Sequence, residues 1–245
     1  MSNNVTVPKK LRRFAGQAIA DYDMIRKGDR LLLGLSGGKD SLSLLHVLSL
    51  LQRHAPVQFD LGVVTIDPQS DSFDPSPLKS YIGSLGLEYH FVSEPIVDLA
   101  ESHMSGDSYC AWCARMRRGL MYKVARENRF NVLVLAQHLD DLAESFLMSA
   151  FHGGRLKTMK AHYTIDAGDL RVIRPFVYVR ERQLAEFAKK AGLPVIIDNC
   201  PSCFEKPTQR QHMKELLAAE EKENNQLFSS LLSTMRPIMK EDMEY

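Results

Sequence analysis

The chain has 245 residues, of which 44% are hydrophobic and 25% charged, and its formal net charge is +1. This is the composition of an ordinary globular protein, and the length is enough for one large α/β domain or two small ones. No run approaches the roughly 18 apolar residues of a membrane span, and the charged amino-terminal stretch lacks the apolar core of a secretory signal. We therefore expect a cytoplasmic protein.

Basic side chains collect in three clusters although the net charge is close to zero. Local basic patches within a neutral protein are typical of a nucleic-acid partner, but any one cluster is equally consistent with solvated surface charge. The clusters are Lys9, Lys10, Arg12 and Arg13; Arg115, Arg117 and Arg118; and Arg155, Lys157 and Lys160.

Apolar runs of strand length alternate with amphipathic segments along the chain. This alternation predicts an α/β fold with a doubly wound, mostly parallel sheet and helices on both faces. The predicted helices are 8–26, 40–53, Pro77–Leu85, Ala114–Glu127, Asp140–Ala150, Arg180–Ala191 and one that begins near Thr208. The predicted strands are 30–35, Leu61–Ile66, Glu88–Val92, Val132–Ala136, Val172–Ile173 and Val195–Ile197.

Three segments are expected along the chain. Residues 1–28 form an amino-terminal helical segment, and residues 29–215 form the main domain, which carries both candidate sites. Polarity rises after about residue 220, so we predict that residues 216–245 form a polar carboxy-terminal helix or tail.

A glycine turn separates the first predicted strand from the helix that follows it. The amino end of a helix presents unpaired N–H groups and the positive end of the helix dipole, and glycines let the backbone fold around oxygen atoms. Hydroxyls and an ammonium add further donors, while the spacing of a Walker A loop is absent. The turn therefore predicts a nucleotide phosphate site. Its residues are Ser36, Gly37, Gly38, Lys39, Asp40 and Ser41.

This hexapeptide, placed after an aliphatic strand, resembles the PP-loop of the N-type ATP pyrophosphatases. The resemblance implies a Rossmann-like adenine nucleotide α-hydrolase fold and an enzyme that cleaves ATP between its α and β phosphates and adenylates a substrate oxygen. It also implies that residues 36–41 cradle pyrophosphate. Within them, Lys39 would neutralise charge on the leaving group, and Asp40 would hold Mg²⁺ directly or through water.

Acidic residues after two later strands are expected at the same edge of the sheet, because ligands bind beyond the carboxyl ends of parallel strands. Asp67 ends the second predicted strand. The resemblance places it beside the nucleoside, while a turn cap is the alternative. Asp140 and Asp141 lie in a segment similar to the family's Gly-His-His-x-Asp-Asp, with Ala136 and Gln137 in place of its first two residues. The similarity implies that Asp141 binds the nucleotide or its metal.

The four cysteines form two C-x-x-C pairs. In a cytosolic protein such pairs are more often metal or redox sites than structural disulfides. Four thiolates suit tetrahedral zinc, and thiolates also suit an iron–sulfur cluster, so the spacing alone leaves zinc, cluster and redox chemistry open. The pairs are Cys110 with Cys113 and Cys200 with Cys203.

The surroundings of the first pair resemble the TtcA-like tRNA 2-thiocytidine synthetases. The matching stretches include Cys110–Gly119, Phe151–Lys157 and Gln209–Arg210, and the resemblance extends over roughly residues 10–212. It implies a [4Fe–4S] cluster with three cysteine ligands and one open iron. The implied ligands are Cys110, Cys113 and Cys200, and Cys203 is the alternative to Cys200 as the third ligand.

The family resemblance implies an enzyme that converts cytidine in a tRNA anticodon loop to 2-thiocytidine. It further implies ATP, Mg²⁺, the [4Fe–4S] cluster, a sulfur donor such as a cysteine desulfurase, and a homodimer. Lys39, Asp40 and Cys200 are expected to act in catalysis. Two alternatives stay open, namely thiolation of another tRNA nucleoside such as uridine, and a zinc-stabilised PP-loop protein that binds nucleic acid.

Overall fold

The computed structural model describes residues 5–70, 73–97, 109–196 and 209–240. None of the helices in these ranges is both long and apolar enough to cross a membrane. The helices are α1 (Lys9–Asp21), α2 (Lys39–His54), α3 (Ser76–Leu85), α4 (Tyr109–Glu127), α5 (Leu139–Gly153), α6 (Glu181–Ala191), α7 (Gln209–Glu223) and α8 (Leu227–Met235). The strands are β1 (Arg30–Gly34), β2 (Asp60–Asp67), β3 (Glu88–Ser93), β4 (Val132–Val134), β5 (His162–Thr164) and β6 (Arg171–Ile173).

The strands in the described ranges form one six-stranded sheet in the order β3-β2-β1-β4-β6-β5. Neighbouring strands pair in parallel except β5, which runs antiparallel to β6 at one edge. The predicted mostly parallel sheet is therefore confirmed. The strand order reverses between β1 and β4, and in open sheets of this kind a ligand crevice forms at that point, beyond the carboxyl ends of the strands.

Successive residues of the central strands enter apolar clusters on opposite faces of the sheet. Leu31 and Leu33 of β1 belong to a large cluster with residues of α1, α2, α5 and α6, whereas Leu32 belongs to a second cluster with Val124 and Ala125 of α4. Strands that are covered on both faces are apolar throughout rather than alternating. Helices therefore cover both faces, as predicted.

The prediction of a strand at Val195–Ile197 is wrong for residues 195 and 196, which lie in no strand, and Ile197 lies outside the described residues. At this point the Ile196 N–H donates to the carbonyl of Gly37 at 2.9 Å, so the chain contacts a loop instead of a sheet edge. The edge is occupied by β5. Its sequence, His-Tyr-Thr, has no apolar run that would predict a strand.

Two helices differ most in length from their predictions. Helix α1 ends at Asp21 instead of residue 26, because Asp23 has a φ of 45°, which an α-helix does not accommodate. Helix α4 begins at Tyr109, ahead of the predicted start at Ala114. The first C-x-x-C pair therefore lies within a helix.

The segments on either side of the proposed main domain pack into one core. Leu11 and Ala15 of α1 and Leu217 of α7 are buried in the large apolar cluster, and α7 continues across residue 215. The division into three segments stays a prediction, but helices of both outer segments share the large apolar cluster with the main domain.

Candidate functional site

The loop between β1 and α2 is braced by its own serines. The Ser41 hydroxyl donates to the Gly38 carbonyl at 3.1 Å and lies 3.2 Å from the Ser36 N–H, which donates to it. The Ser36 hydroxyl accepts from the Gly38 N–H at 3.3 Å. Helix α2 begins at Lys39, and its N-cap is Gly38, which has no side chain to cap it. Because the first N–H groups of a helix have no partner within it, this end is suited to bind an anion.

Gly37 has a backbone conformation that other residues rarely adopt. Its φ is 84°, and a Cβ at this position would lie 3.1 Å from the Cβ of Ile196. The glycine therefore lets the chain after α6 approach the loop closely.

The ammonium of Lys39 is held by two carboxylates beside the loop. It lies 3.1 Å from Oδ2 of Asp40 and donates to Oε1 of Glu181 at 2.9 Å. Lys214 of α7 binds the other carboxylate oxygen of Glu181 at 2.8 Å. Burial disfavours the charged ammonium, but Asp40 and Glu181 outweigh it and raise the pKa of Lys39. The lysine is therefore charged and held close to the candidate phosphate site.

Glu181 is a functional candidate that the sequence pattern did not single out. Burial favours its neutral form, but hydrogen bonds from Lys214 and Lys39 prevail and lower the pKa of Glu181 to about 2. An acidic residue at the start of a helix ordinarily signals only a favourable dipole contact. Its partner Lys39 is 142 positions away along the chain, and no local motif indicates this contact.

Replacing Glu181 by glutamine is expected to lower the free energy of unfolding at pH 7 by about 1.5–3 kcal/mol, the range for a hydrogen bond to a charged group. Folding lowers the pKa of Glu181 from 4.5 to about 2. Its stabilising contribution is therefore complete above about pH 4.5 and is lost as the pH falls towards 2. In urea unfolding, the difference in stability between wild type and Glu181→Gln should be full at pH 7, begin to narrow below about pH 4.5 and vanish only near pH 2.

The matched control for this prediction is Glu186→Gln, which changes an exposed residue of the same helix. It should stay within about 0.5 kcal/mol of wild type, as is usual for surface substitutions. A difference between wild type and Glu181→Gln that does not narrow in acid would contradict the assigned role.

Asp40 has an unsatisfied oxygen. Its Oδ1 atom is buried and has no hydrogen-bond partner among the described residues. Burial raises the pKa of Asp40, against the opposing effects of His138 and Lys39. A buried carboxylate oxygen without a partner is costly unless a ligand supplies one, and carboxylates are preferred ligands of Mg²⁺. Asp40 therefore fits the metal-binding role that the sequence predicts for it.

The two acidic residues at the start of α5 have different roles. Asp141 forms a capping box with His138, whose N–H donates to its carboxylate at 2.9 Å, and Arg210 of α7 donates to it at 2.7 Å. Asp140 accepts from the Glu181 N–H at 2.7 Å and so anchors the start of α6. Of the two, Asp141 is the one that lines the cleft described next.

Ser36, Asp40 and Asp141 line one cleft with a volume of about 310 Å³. Arg117 of α4 and Arg210 of α7 line it as well. Arginine side chains beside the amino end of a helix are suited to a phosphate-rich ligand. The fold thus brings the loop and the helix of the first C-x-x-C pair to one cleft, which we call the nucleotide cleft.

Gln137 also lines the nucleotide cleft, at the position where the family pattern has a histidine. Its side-chain oxygen accepts from Nε of Arg174 at 2.9 Å, and Arg174 is 5% exposed. Arg174 also donates to the carbonyl of Lys160 at 2.6 Å. The buried arginine therefore fixes the orientation of the Gln137 amide.

Asp67 lies beside the cleft and is engaged in a turn. Its carboxylate accepts from the Gln69 N–H at 2.8 Å and from the Ser93 hydroxyl at 3.1 Å. This is the turn-cap arrangement that stood as the alternative. Ile66 and Val64 of the same strand line the cleft. A contact between Asp67 and the nucleoside stays a prediction.

The first cysteine pair lies in the helix that borders the nucleotide cleft. Cys110 is in the first turn of α4. Cys113 is half-buried and packs with Trp112 and Met116 against the second apolar cluster. Arg117, one turn further along, lines the cleft. Cys113 therefore lies on the helix that borders the candidate phosphate site, one turn before Arg117.

Cys200 and Cys203 lie outside the described residues, but the chain on both sides of them meets the site. Before them, Ile196 contacts Gly37, and after them Arg210 lines the nucleotide cleft. Within the described ranges no group of three or more His, Cys, Asp or Glu is arranged to hold a metal ion.

The mostly parallel sheet and the glycine loop after its first strand are typical of PP-loop proteins, and the family comparison agrees. The sequence profile of the PP-loop domain family matches residues 4–217. The tRNA-cytidine(32) 2-sulfurtransferase of Geobacter sulfurreducens is 41% identical over 228 residues, which are 93% of this chain and 89% of that protein. The protein of the same name from Vibrio vulnificus is 39% identical over 211 residues, 85% of this chain and 67% of its own. The chain belongs to the PP-loop family and, within it, to the tRNA-cytidine(32) 2-sulfurtransferases.

A solved structure shares the fold. The U34-tRNA thiolase NcsA from Methanococcus maripaludis, determined with its [4Fe-4S] cluster, superposes with a TM-score of 0.75. The match covers 96% of this chain and 79% of that one at 20% sequence identity. At this identity the likeness concerns the fold, and it confirms the Rossmann-like PP-loop architecture.

Proposed function

We propose that this chain is an ATP-dependent sulfurtransferase that converts cytidine 32 of tRNA to 2-thiocytidine. The observation that carries the proposal is the single cleft that joins the intact PP-loop to the helix of the first cysteine pair. It is supported by the 41% identity, over 93% of the chain, to a protein named for this reaction.

The reaction has two steps, activation of the base by ATP at the loop and attack by sulfur from the side of the first cysteine pair. The C2 carbonyl of a pyrimidine is a poor electrophile because oxide is a poor leaving group. The C2 oxygen of cytidine attacks the α phosphorus of ATP, pyrophosphate departs, and the oxygen becomes adenylated. Hydrosulfide then attacks C2, AMP leaves with the oxygen, and a proton is released. Each thiolation thus consumes one ATP and one sulfide, and the cleft holds the reactants next to each other.

The described residues account for the activation step. The amino end of α2 and residues 36–41 bind the departing pyrophosphate. Lys39 moves from Glu181 to the phosphates, while Lys214 stays on Glu181 and limits the cost of that exchange. Asp40 would hold Mg²⁺ through its unpaired Oδ1, and the metal would neutralise phosphate charge.

Cys110, Cys113 and Cys200 would hold a [4Fe–4S] cluster, and that group would supply the binding site for the sulfur nucleophile. The half-buried, apolar surroundings of Cys113 beside the cleft fit such a group. The reacting base must leave the stacked anticodon loop to reach the cleft. Arg115 on the exposed side of α4 is suited to a phosphate next to that base.

The test is nucleoside analysis of tRNA incubated with the anaerobically reconstituted protein, ATP, Mg²⁺ and sulfide. We expect 2-thiocytidine at position 32, dependent on ATP and matched by an equal amount of AMP. Formation of 2-thiouridine would instead assign another nucleoside. Bound zinc without any thiolated product would support a zinc-stabilised binding protein.

The proposal also covers the sulfur donor, the oligomeric state and the cellular location of the enzyme. A cysteine desulfurase donates the sulfur, the enzyme is a homodimer, and it acts on tRNA in the cytoplasm. These statements rest on the resemblance to the family. Light scattering of the purified protein tests the homodimer, and replacement of sulfide by a desulfurase with cysteine tests the donor.

A further inference from the structure

A second groove lies between α1, α6 and α8 and has a volume of about 370 Å³. Aromatic rings line it, and basic groups lie over them. Lys10 Nζ is 5.7 Å from the ring centre of Phe14, and Cζ of Arg236 is 5.0 Å from that of Tyr178. We call this the α1–α8 groove, and nothing in the reaction derived above uses it.

The charge of the α1–α8 groove has one sign. Among the described residues that line it, Lys10, Arg180, Arg182 and Arg236 are basic, and none is Asp or Glu. The whole chain carries a net charge of only +1, so this excess is local. Lys10 belongs to the amino-terminal basic cluster of the sequence, and no residue of that cluster lines the nucleotide cleft. An ordinary solvated surface intersperses charges of both signs.

The basic groups of the groove differ in accessibility. Arg180 is committed to the protein, since it donates to Glu221 at 2.6 and 2.8 Å and stacks on a ring. Arg182 keeps 71% of its side chain exposed and reaches Glu221 only at 3.5 Å. Lys10 and Arg236 are exposed as well. Lys10, Arg182 and Arg236 are therefore accessible to a ligand.

The α1–α8 groove and the nucleotide cleft are neighbours. Leu139 lines the groove, and Asp141, two positions along the same helix, lines the cleft. Arg182 adjoins Glu181, which holds Lys39 beside the loop. The two sites therefore adjoin the start of the same helix, within the span of a molecule as large as a tRNA.

We propose that the α1–α8 groove binds the phosphodiester backbone of the tRNA substrate, away from the reacting base. The proposal rests on the proposed function and adds a second contact surface to it. Phosphate oxygens are bound by Lys and Arg and by neutral amides, and Gln17 and Gln183 supply such amides within the groove. The mixture of cations and amides favours RNA over an acidic protein surface, and the substrate carries a phosphate at each nucleotide.

The test compares two triple variants of the reconstituted full chain in tRNA binding by fluorescence anisotropy. Lys10→Gln/Arg182→Gln/Arg236→Gln removes three charges from the groove. Lys27→Gln/Lys189→Gln/Lys190→Gln removes three exposed charges near the amino end of β1 and the carboxyl end of α6, and it is the matched control. The slope of log affinity against log salt is negative, and each lost phosphate contact reduces its magnitude by about 0.7–0.9. The magnitude of this slope should therefore be smaller by about 2–3 for the groove variant than for wild type. The groove variant should also bind tRNA about 10- to 100-fold more weakly near 0.1 M salt.

Thiolation at saturating tRNA separates this proposal from the function on which it rests. The groove variant should keep the wild-type turnover at saturation and show a raised KM for tRNA, with an unchanged melting temperature. If wild type thiolates tRNA and both triple variants bind it equally well, the RNA groove is overturned while the function stands, and an acidic protein becomes the candidate occupant. If wild type neither binds nor thiolates tRNA, the proposed function fails and the groove proposal fails with it.

Discussion

Replacing Lys39 by alanine is expected to slow the formation of 2-thiocytidine by about 10²- to 10³-fold, the range for removal of one group that stabilises a charged transition state. Lys39 is the ammonium that the structure holds next to the loop, 2.9 Å from Glu181. The fold should persist because Glu181 keeps its contact with Lys214 at 2.8 Å. Single-turnover assays with saturating ATP and tRNA should show AMP and thionucleoside formation falling together.

The iron content of Lys39→Ala should equal that of wild type, since the cysteines are unchanged. Lys189→Ala, at an exposed position near the end of α6, is the matched control and should thiolate at the wild-type rate. Wild-type turnover in Lys39→Ala would refute a role of this lysine in activation. Loss of iron together with activity would point to a folding defect instead.

Replacing Cys113 by alanine is expected to abolish both the iron–sulfur cluster and thiolation. Cluster irons are bound by cysteine thiolates, and a cluster with only three protein ligands has no further ligand to replace one that is lost. Anaerobic purification followed by an absorption spectrum and analysis of iron, sulfide and zinc measures this directly. Wild type should contain about four irons and about four sulfides per chain. A full complement of iron and full activity in Cys113→Ala would show that this ligand assignment is wrong.

Met116→Ala is the matched control for the loss of packing at this position. Met116 lies one turn from Cys113 and packs against the same apolar cluster, but it is no cluster ligand in this proposal. It should keep its iron. Parallel alanine variants of Cys200 and Cys203 then identify the third ligand, because the true ligand should behave like Cys113 and the other should retain iron.

Much of the nucleotide cleft can be predicted from the sequence because the residues of its loop are close together along the chain. The loop at 36–41 needs only a glycine with positive φ and the hydroxyls of Ser36 and Ser41, which lie within one strand–turn–helix unit. Strands buried on both faces leave apolar runs that predict them. Strand β5 was missed because its three residues lie at an edge and have no such run.

The sequence by itself therefore determined the sheet class, the position of the candidate phosphate loop and the family. Only the tertiary structure decided that Glu181 holds Lys39 across 142 positions, that Arg117 shares a cleft with Asp40, and that α1 and α8 enclose a basic groove. The physical reason is that hydrophobic periodicity marks which side of an element is buried, whereas its partner is selected by packing among all the elements at once. Contacts between charged groups on different elements follow from that packing and leave no periodic signal.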